Sequence, residues 1–513
     1  MKVPLFVLIA LYFLILSGAR GQFVQQGSKL VGNGAVGISN QGYSVSLSTG
    51  GNTAIVGGPE DNTWMGAAWV YTNSGGVWTQ QGNKLVGSGA VWLPYQGTSV
   101  SLSADGNTAM VGGPGDDFSR GAVWVFTRSD SVWTQQGEKL VGTDIEGFDG
   151  LFQGTSVALS ADGNTAIFGG IEFSSSNNDA TWEAWVYTRG GSVWTQQGNR
   201  LIGTDASGIP SQGASVSLSA DGNTAIMGGS NDNNNTGAAW IYTRSGGVWS
   251  QQGSKLVGTG AAGLSFQGSS VFLSADGNTA IVGGPGDNDS IGAVWLYTRS
   301  GDVWSQQGSK LVGAGAAGIS FQGSAVSLST DGNTAIVGGP FDNNDTGASW
   351  MFTRSNSVWT QQGNKLVGSG AVNTFKTTVY QGCSVSISGD STTAFVGGYA
   401  DSGGAGAVWV FTYSNVQGVH DLTNAPFSYH LSENYPNPFN PTTQISYTLA
   451  KASNVTLNVY NVLGLQIATL VNGKNEPGEH SVRWNAANIP SGVYFFRIVA
   501  GEFVQTKKMV LMK

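Results

Sequence analysis

Along most of the chain apolar and polar residues alternate with a period of two, the spacing of a strand that buries one face. In Ser99-Val100-Ser101-Leu102-Ser103 small polar residues alternate with Val and Leu, which predicts a strand. Asp105-Gly106 follows, a hairpin signal because both central residues of a two-residue turn need positive φ. Ala109-Met110-Val111 predicts the return strand, and Gly112-Gly113-Pro114 ends it, since Pro cannot donate to a ladder. Ala122 to Thr127 predicts a third strand, and Val132-Trp133-Thr134-Gln135 a fourth.

The same block recurs through the chain. GNTA or a close variant places its Thr at Thr53, Thr108, Thr165, Thr224, Thr279, Thr334 and Thr393, 55 to 59 residues apart. QQG begins at Gln25, Gln80, Gln135, Gln196, Gln251, Gln306 and Gln361; GAxW or its variant ends at Trp69, Trp124, Trp185, Trp240, Trp295, Trp350 and Trp409. Seven units of four hairpin-linked strands predict an all-β protein built on a seven-bladed β-propeller over 22–413. A linear solenoid is the alternative, but it needs atypical capping repeats. The array's ends complement each other instead. Phe23-Val24-Gln25-Gln26-Gly27 is a fourth-strand sequence with no unit before it, and the unit ending in Trp409 has none after it. The N-terminal strand is therefore expected to complete the last blade, which leaves no open sheet edge in the ring.

Composition narrows the function. Of 513 residues 79 are Gly, only 11% are charged, and the net charge is −8. That balance excludes binding nucleic acid through a basic surface. Cys383 is the single cysteine, so a disulfide framework within the chain and a Cys-based zinc site are excluded. Lys2, the apolar run Pro4 to Leu16 and the small residues Ser17-Gly18-Ala19 and Gly21 have the layout of a secretory signal peptide over 1–21. A membrane anchor is the alternative; it needs about 20 apolar residues.

Beyond a linker over 414–430 the pattern changes. The prolines of Tyr435-Pro436-Asn437-Pro438-Phe439-Asn440-Pro441 exclude a central strand. Alternation then resumes at Asn454 to Tyr460, Gln466 to Val471, Glu479 to Trp484, Gly492 to Val499 and Phe503 to Leu511, with turns at Asn472-Gly473 and Ala500-Gly501. Residues 431–513 thus predict a small immunoglobulin-like β-sandwich. The two bodies differ in charge. Residues 431–513 hold seven Lys/Arg and four Glu, whereas 22–413 hold 14 Lys/Arg and 26 Asp/Glu.

Two resemblances follow from these motifs. The repeat [FY]-Q-G-x-S-V-x-L-S, D-G-N-T-A-x-V-G-G-P, G-A-V-W-V-[FY]-T-R, V-W-T-Q-Q-G-x-K-L resembles the FG-GAP repeats of integrin-α-type propellers, with kelch propellers the nearest rival. Integrin-type repeats often carry a calcium loop in the first hairpin. Here that turn, Ser103-Ala104-Asp105-Gly106-Asn107, has too few carboxylates for a six- to eight-oxygen cage, so no metal is expected at it. The end of the chain resembles the C-terminal sorting domain of type IX secretion cargo. Tyr435, Pro436, Asn437, Pro438 and Phe439, then Gly492 and Tyr494, then Lys507 and Lys508 carry that likeness. It implies export by the type IX machinery to the surface of a Gram-negative bacterium, removal of the domain, and often attachment to lipopolysaccharide. An ordinary accessory sandwich is the alternative.

Chemistry within the repeats is sparse. All three histidines, His420, His430 and His480, lie outside them, leaving no His for a Ser-His-Asp site or a His general base. Cys383 occupies a position expected to hold a small buried strand residue. A glycosidase needs only two carboxylates, and Glu60, Glu146, Glu172 and Glu183 are present, but spacing singles out no pair. No cofactor is expected. The loops after Gly-Gly place Asp61, Asp116, Asp232, Asp287, Asp342 and Asp401 at matching positions. These residues either end strands as Asx turns or form a carboxylate ring for a cation or sugar. Trp64, Trp92 and Trp182 serve no repeat role and are expected in loops of that same face. There they either cover the rim or stack on a glycan or an extracellular protein. Trp64 and Trp92 are expected to be neighbours. A non-enzymatic surface binding or adhesion protein is the leading expectation, and a secreted carbohydrate-active hydrolase or lyase the alternative.

Overall fold

The structure, a computed structural model, describes residues 21–143, 150–174, 179–372, 378–414, 429–432, 434, 436–449, 451–475, 478–501 and 503–512. Residues 1–20 of the expected signal peptide, 415–428 of the expected linker, Glu146, His420 and Tyr435 lie outside them. The chain divides into two compact units, 1–415 and 416–513.

The first unit is a seven-bladed β-propeller. Blade two shows the pattern: antiparallel strands Ser99–Leu102, Thr108–Gly113, Ala122–Ser129 and Val132–Gln135, paired in that order. In blade seven Ser384–Ile387, Thr393–Gly398 and Ala407–Ser414 are completed by the N-terminal strand Gln22–Gln25, with Phe23 opposite Tyr413 and Gln25 opposite Phe411. The first and last strands of the array thus close the ring, as the complementary ends require.

The first strands line a central channel of about 210 Å³. A five-fold set of serine hydroxyls joins neighbouring blades there: Ser46, Ser101, Ser217, Ser327 and Ser386 each accept a backbone N–H from the next first strand, from Leu102, Leu159, Leu273, Ile387 and Leu47. Ala158 and Phe272 hold the matching places in blades three and five. At the hairpin end the backbone itself closes a circle. Thr49 N–H donates to Ala104, Ala104 to Ala161, Ala161 to Ala220, Ala220 to Ala275, Ala275 to Thr330, Thr330 to Gly389 and Gly389 back to Thr49, all at 2.9–3.1 Å.

The first-hairpin turn is longer than Asp-Gly alone suggests. Gly106 N–H donates to Ser103 O and only Gly106 of the pair has positive φ, so the turn spans four residues rather than two. Asp105 accepts from Ser103 Oγ, Asn107 N–H and Asn107 Nδ2, which uses its carboxylate inside the turn.

Between blades the core is built on the GAxW tryptophans, all seven fully buried. Their Nε1 groups donate to connection carbonyls, Trp69 to Asn33 and Trp124 to Ser88 at 2.8 Å, satisfying the one polar atom of each ring. Gly32 and Gly58 clasp Trp69, and a Cβ at either would collide with its ring. In blades two to six the fourth-strand Trp carries an Arg over its face, as Arg128 over Trp133 at 5.3 Å.

The second unit is a two-sheet sandwich. One sheet orders His430–Leu431, Thr442–Leu449 and Gly478–Asn485; the other orders Gln466–Asn475, Ser453–Asn461, Gly492–Ala500 and Phe503–Leu511. The expected turn at Asn472-Gly473 is instead strand, paired with Thr456 and Val455. Among its described residues the proline segment makes a single bridge, Phe439 to Leu511, and Phe439 packs in the core beside Trp484.

Candidate functional site

The loops joining second and third strands lie beside the connections between blades, on the face opposite the hairpin circle. Six of them share a conformation that explains their composition. After the Asp come three left-handed residues: Asn62, Thr63 and Trp64; Asp117, Phe118 and Ser119; Asn233 to Asn235; Asn288 to Ser290; Asn343 to Asp345; Ser402 to Gly404. A left-handed turn costs an ordinary L-residue roughly 1–2 kcal/mol, and Asn, Asp and Gly tolerate it best. The polar character of these loops is thus a backbone requirement.

The aspartate ring is a correction to the sequence reading. Asp61, Asp116, Asp232, Asp287, Asp342 and Asp401 are all fully buried. One carboxylate oxygen accepts the N–H of the incoming connection, Val36, Val91, Ser207, Ala262, Ala317 or Val372. The other is ion-paired with Lys84, Lys139, Lys255, Lys310, Lys365 or Lys29, the lysine of the Q-G-x-K-L segment in the same blade. Blade three substitutes both partners together, as Glu183 with Arg200 at 2.9 Å. A buried charge must be paired, so these carboxylates tie each blade to its connection and are not offered to a ligand. The lysine of QQGxKL, part of the repeat motif but given no role in the sequence reading, was the available signal. A second such device is the Gln of [FY]QG, as Gln96, which accepts from Gly87 N–H and donates to Gly87 O.

The tryptophans fare differently from one another. Trp64 is 44% exposed and Trp92 58% exposed. They do not stack on each other: Trp64 lies against Tyr95 at 6.4 Å, and Trp92 meets Phe118 edge-on at 4.4 Å, with Phe118 itself 66% exposed. Trp64 O accepts Tyr95 N–H, so the two pairs sit on one stretch of blades one and two. Trp182 is in the third strand of blade three, Asp179–Gly190, opposite Ile171, and not in a loop. Phe118 and Tyr95 were missed because each stands where the repeat tolerates variation or already expects an aromatic.

Other candidates are accounted for. Burial pushes the Cys383 thiol up to about 11, so it stays protonated at neutral pH; it sits just before the first strand of blade seven, half-buried, and donates to Gly42 O. The central channel is lined by Val, Leu, Ile, Ala, Ser, Thr and Gly with Phe272. Among the described residues, no cluster of three His, Cys, Asp or Glu is placed to hold a metal.

In the second unit Pro436, Asn437 and Pro438 flank the C-terminal strand: Asn437 Oδ1 accepts Val510 N–H, and Phe439 N–H donates to Val510 O. Gly492 pairs with Leu511, Tyr494 with Met509, and Lys507 and Lys508 stand opposite Phe496 and Phe495. Tyr494 Oη donates to Pro490 O. The proline motif, the Gly-Val-Tyr strand and the basic tail are therefore one structural element.

Against known families, residues 433–512 match the secretion system C-terminal sorting domain. The chain thus carries a type IX sorting tail and is a secreted, cell-surface protein that engages the type IX machinery. No curated protein matches the chain. Among solved structures, Kuenenia stuttgartiensis hydrazine synthase is 11% identical at a TM-score of 0.44, covering 72% of this chain and 95% of that one. A fungal alcohol oxidase of the AA5 family, in complex with copper, is 13% identical at 0.43, covering 96% and 100%. PorZ, a surface component of the type IX secretion system of Porphyromonas gingivalis, is 10% identical at 0.33, covering 90% and 64%. None of these likenesses bears on what this chain does.

Proposed function

We propose that the propeller is a non-enzymatic binding or adhesion module of FG-GAP-like repeats, displayed at the cell surface for a glycan or an extracellular protein. The observation that carries the reading is the exposure of large aromatic rings on the long-loop face, where the six matching aspartates are held in buried ion pairs. Exposed aromatics concentrate binding energy. The blades repeat closely, whereas catalysis asks one or two of them to diverge. After export, removal of the sorting domain and attachment to lipopolysaccharide would fix the propeller at the surface.

The test is an array of glycans and matrix proteins probed with the secreted chain, alongside turnover assays on the same glycans. Saturable binding without turnover is expected. Hydrolysis or elimination of any arrayed glycan would replace this reading with the carbohydrate-active enzyme.

A further inference from the structure

Three aromatic residues that break the repeat gather over blades six, seven and one. Tyr43 follows the buried Gln-Gly of blade one, where other units have Thr98, Thr155, Ala214, Ser269, Ser324 and Cys383. Tyr399 follows the Gly-Gly of blade seven, where the others have Pro59, Pro114, Ile171, Ser230, Pro285 and Pro340. Phe341 stands where the others have Glu60, Gly115, Glu172, Asn231, Gly286 and Ala400. No requirement of the blade calls for a ring at these three places.

Yet the three rings are in contact, through two residues that precede the buried Gln. Phe321 meets Phe341 with centroids 4.7 Å apart, Phe341 meets Tyr380 at 5.3 Å, Tyr380 stacks on Tyr399 at 5.2 Å and 16°, and Tyr399 meets Tyr43 at 5.6 Å. The result is one strip of five rings over blades six, seven and one. Phe341 is 36% and Tyr43 43% exposed. Among the described residues no hydrogen bond holds the hydroxyls of Tyr43, Tyr380 or Tyr399. Burial, then Cys383 and Glu60 beside them, raises Tyr43 and Tyr399, the latter to about 12, so both remain O–H donors at any physiological pH.

We propose that this strip binds an uncharged glycan chain, its rings stacking on the apolar faces of successive sugars while the phenol hydroxyls and Glu60 meet the sugar hydroxyls. The proposal deepens the binding reading above and rests on it. Three features select this ligand. A line of contiguous rings with polar edges matches a polymer that has apolar faces and a hydroxyl rim. The strip is a surface track, whereas protein hot spots centre on desolvated pockets. The charge of the face disfavours polyanions, because Glu60, Asp117, Asp289 and Asp345 stand in its loops while its lysines are held by the buried aspartates.

Affinity electrophoresis of the full chain in gels cast with barley β-glucan, xylan or mannan, with alginate as the polyanion, tests this. Retardation by at least one neutral polymer and not by alginate is expected. Tyr399→Ala, Phe341→Ala and Tyr43→Ala should each weaken it about three- to tenfold, with Tyr399→Phe retaining more binding than Tyr399→Ala. Thermal melts identify any variant that has lost its fold, and Tyr399→Phe, which keeps the ring, then decides for that position. Retardation unchanged by all three alanine variants places the glycan elsewhere and overturns the site while the binding reading stands. Binding only to arrayed proteins overturns the glycan and leaves that reading intact; no binding to any polymer or protein sinks both.

Discussion

At the scale of single residues, the aspartates show how burial changes the meaning of a side chain. Read along the sequence, six matching Asp residues suggest a ring of ligands; in the fold each is enclosed and shared between a lysine and a backbone N–H. Asp116→Ala should therefore cost about 3–5 kcal/mol, because it leaves Lys139 without its partner in a largely buried site. Adding Lys139→Met should recover much of that loss, as urea denaturation of the single and double variants will show; equal losses would mean the charge is not the cause. The hairpin aspartates make a separate prediction. Burial alone would raise Asp105, Asp162, Asp221, Asp276 and Asp331, but bonds from the turn Ser and Asn and the nearby Arg outweigh it and hold them below the usual carboxylate range. Asp390 is lowered likewise by Ser388 and Thr392. A carboxyl depressed in the fold contributes stability that is full above its unfolded value of about 3.9 and is lost as pH falls through the folded value. Urea midpoints should therefore drop on acidification below the ordinary carboxylate range, and Asp105→Asn should flatten the slope.

At the scale of the element, the chain's first strand has a role that its neighbours in sequence do not reveal. Gln22–Gln25 has no partner nearby and pairs with Ala407–Ser414, while Lys29 and Leu30 continue the contact at Asp401 and Val408. Deleting Phe23 to Leu30 should leave blade seven with three strands, a bare edge and a buried Asp401 without its lysine. A lowered melting temperature and concentration-dependent aggregation are expected, and an unchanged melt would refute closure by this strand. Strand positions were legible because the period of two is set by the pleat itself. The Asp-Gly turn and the Asn472-Gly473 strand were read less well. A dipeptide signal fixes where the chain can turn, and the pairing partner decides whether and how tightly it does.

At the scale of the whole molecule, the two units have separate tasks. The propeller carries the exposed rings, and the sandwich carries the sorting signal over 433–512. Each has its own buried core, so deleting 431–513 should leave the propeller folded but strand it in the periplasm. Fractionation and surface proteolysis of cells expressing the truncated chain will show this; arrival at the cell surface would exclude the sorting role.

Sequence by itself determined the seven units, the four strands in each, the complementary ends and the sorting tail. The units, their strands and the complementary ends depend on local periodicity and on short motifs whose residue types are dictated by backbone geometry, whereas the sorting tail was legible through its resemblance to a known family. Tertiary structure alone decided which carboxylates meet lysines, that Trp64 and Trp92 pair with Tyr95 and Phe118 rather than with each other, and that rings from three blades form one strip. The reason is physical: ring closure brings together Tyr43 and Tyr399, residues at opposite ends of the array, and no pattern within a single repeat encodes what the next blade places beside it.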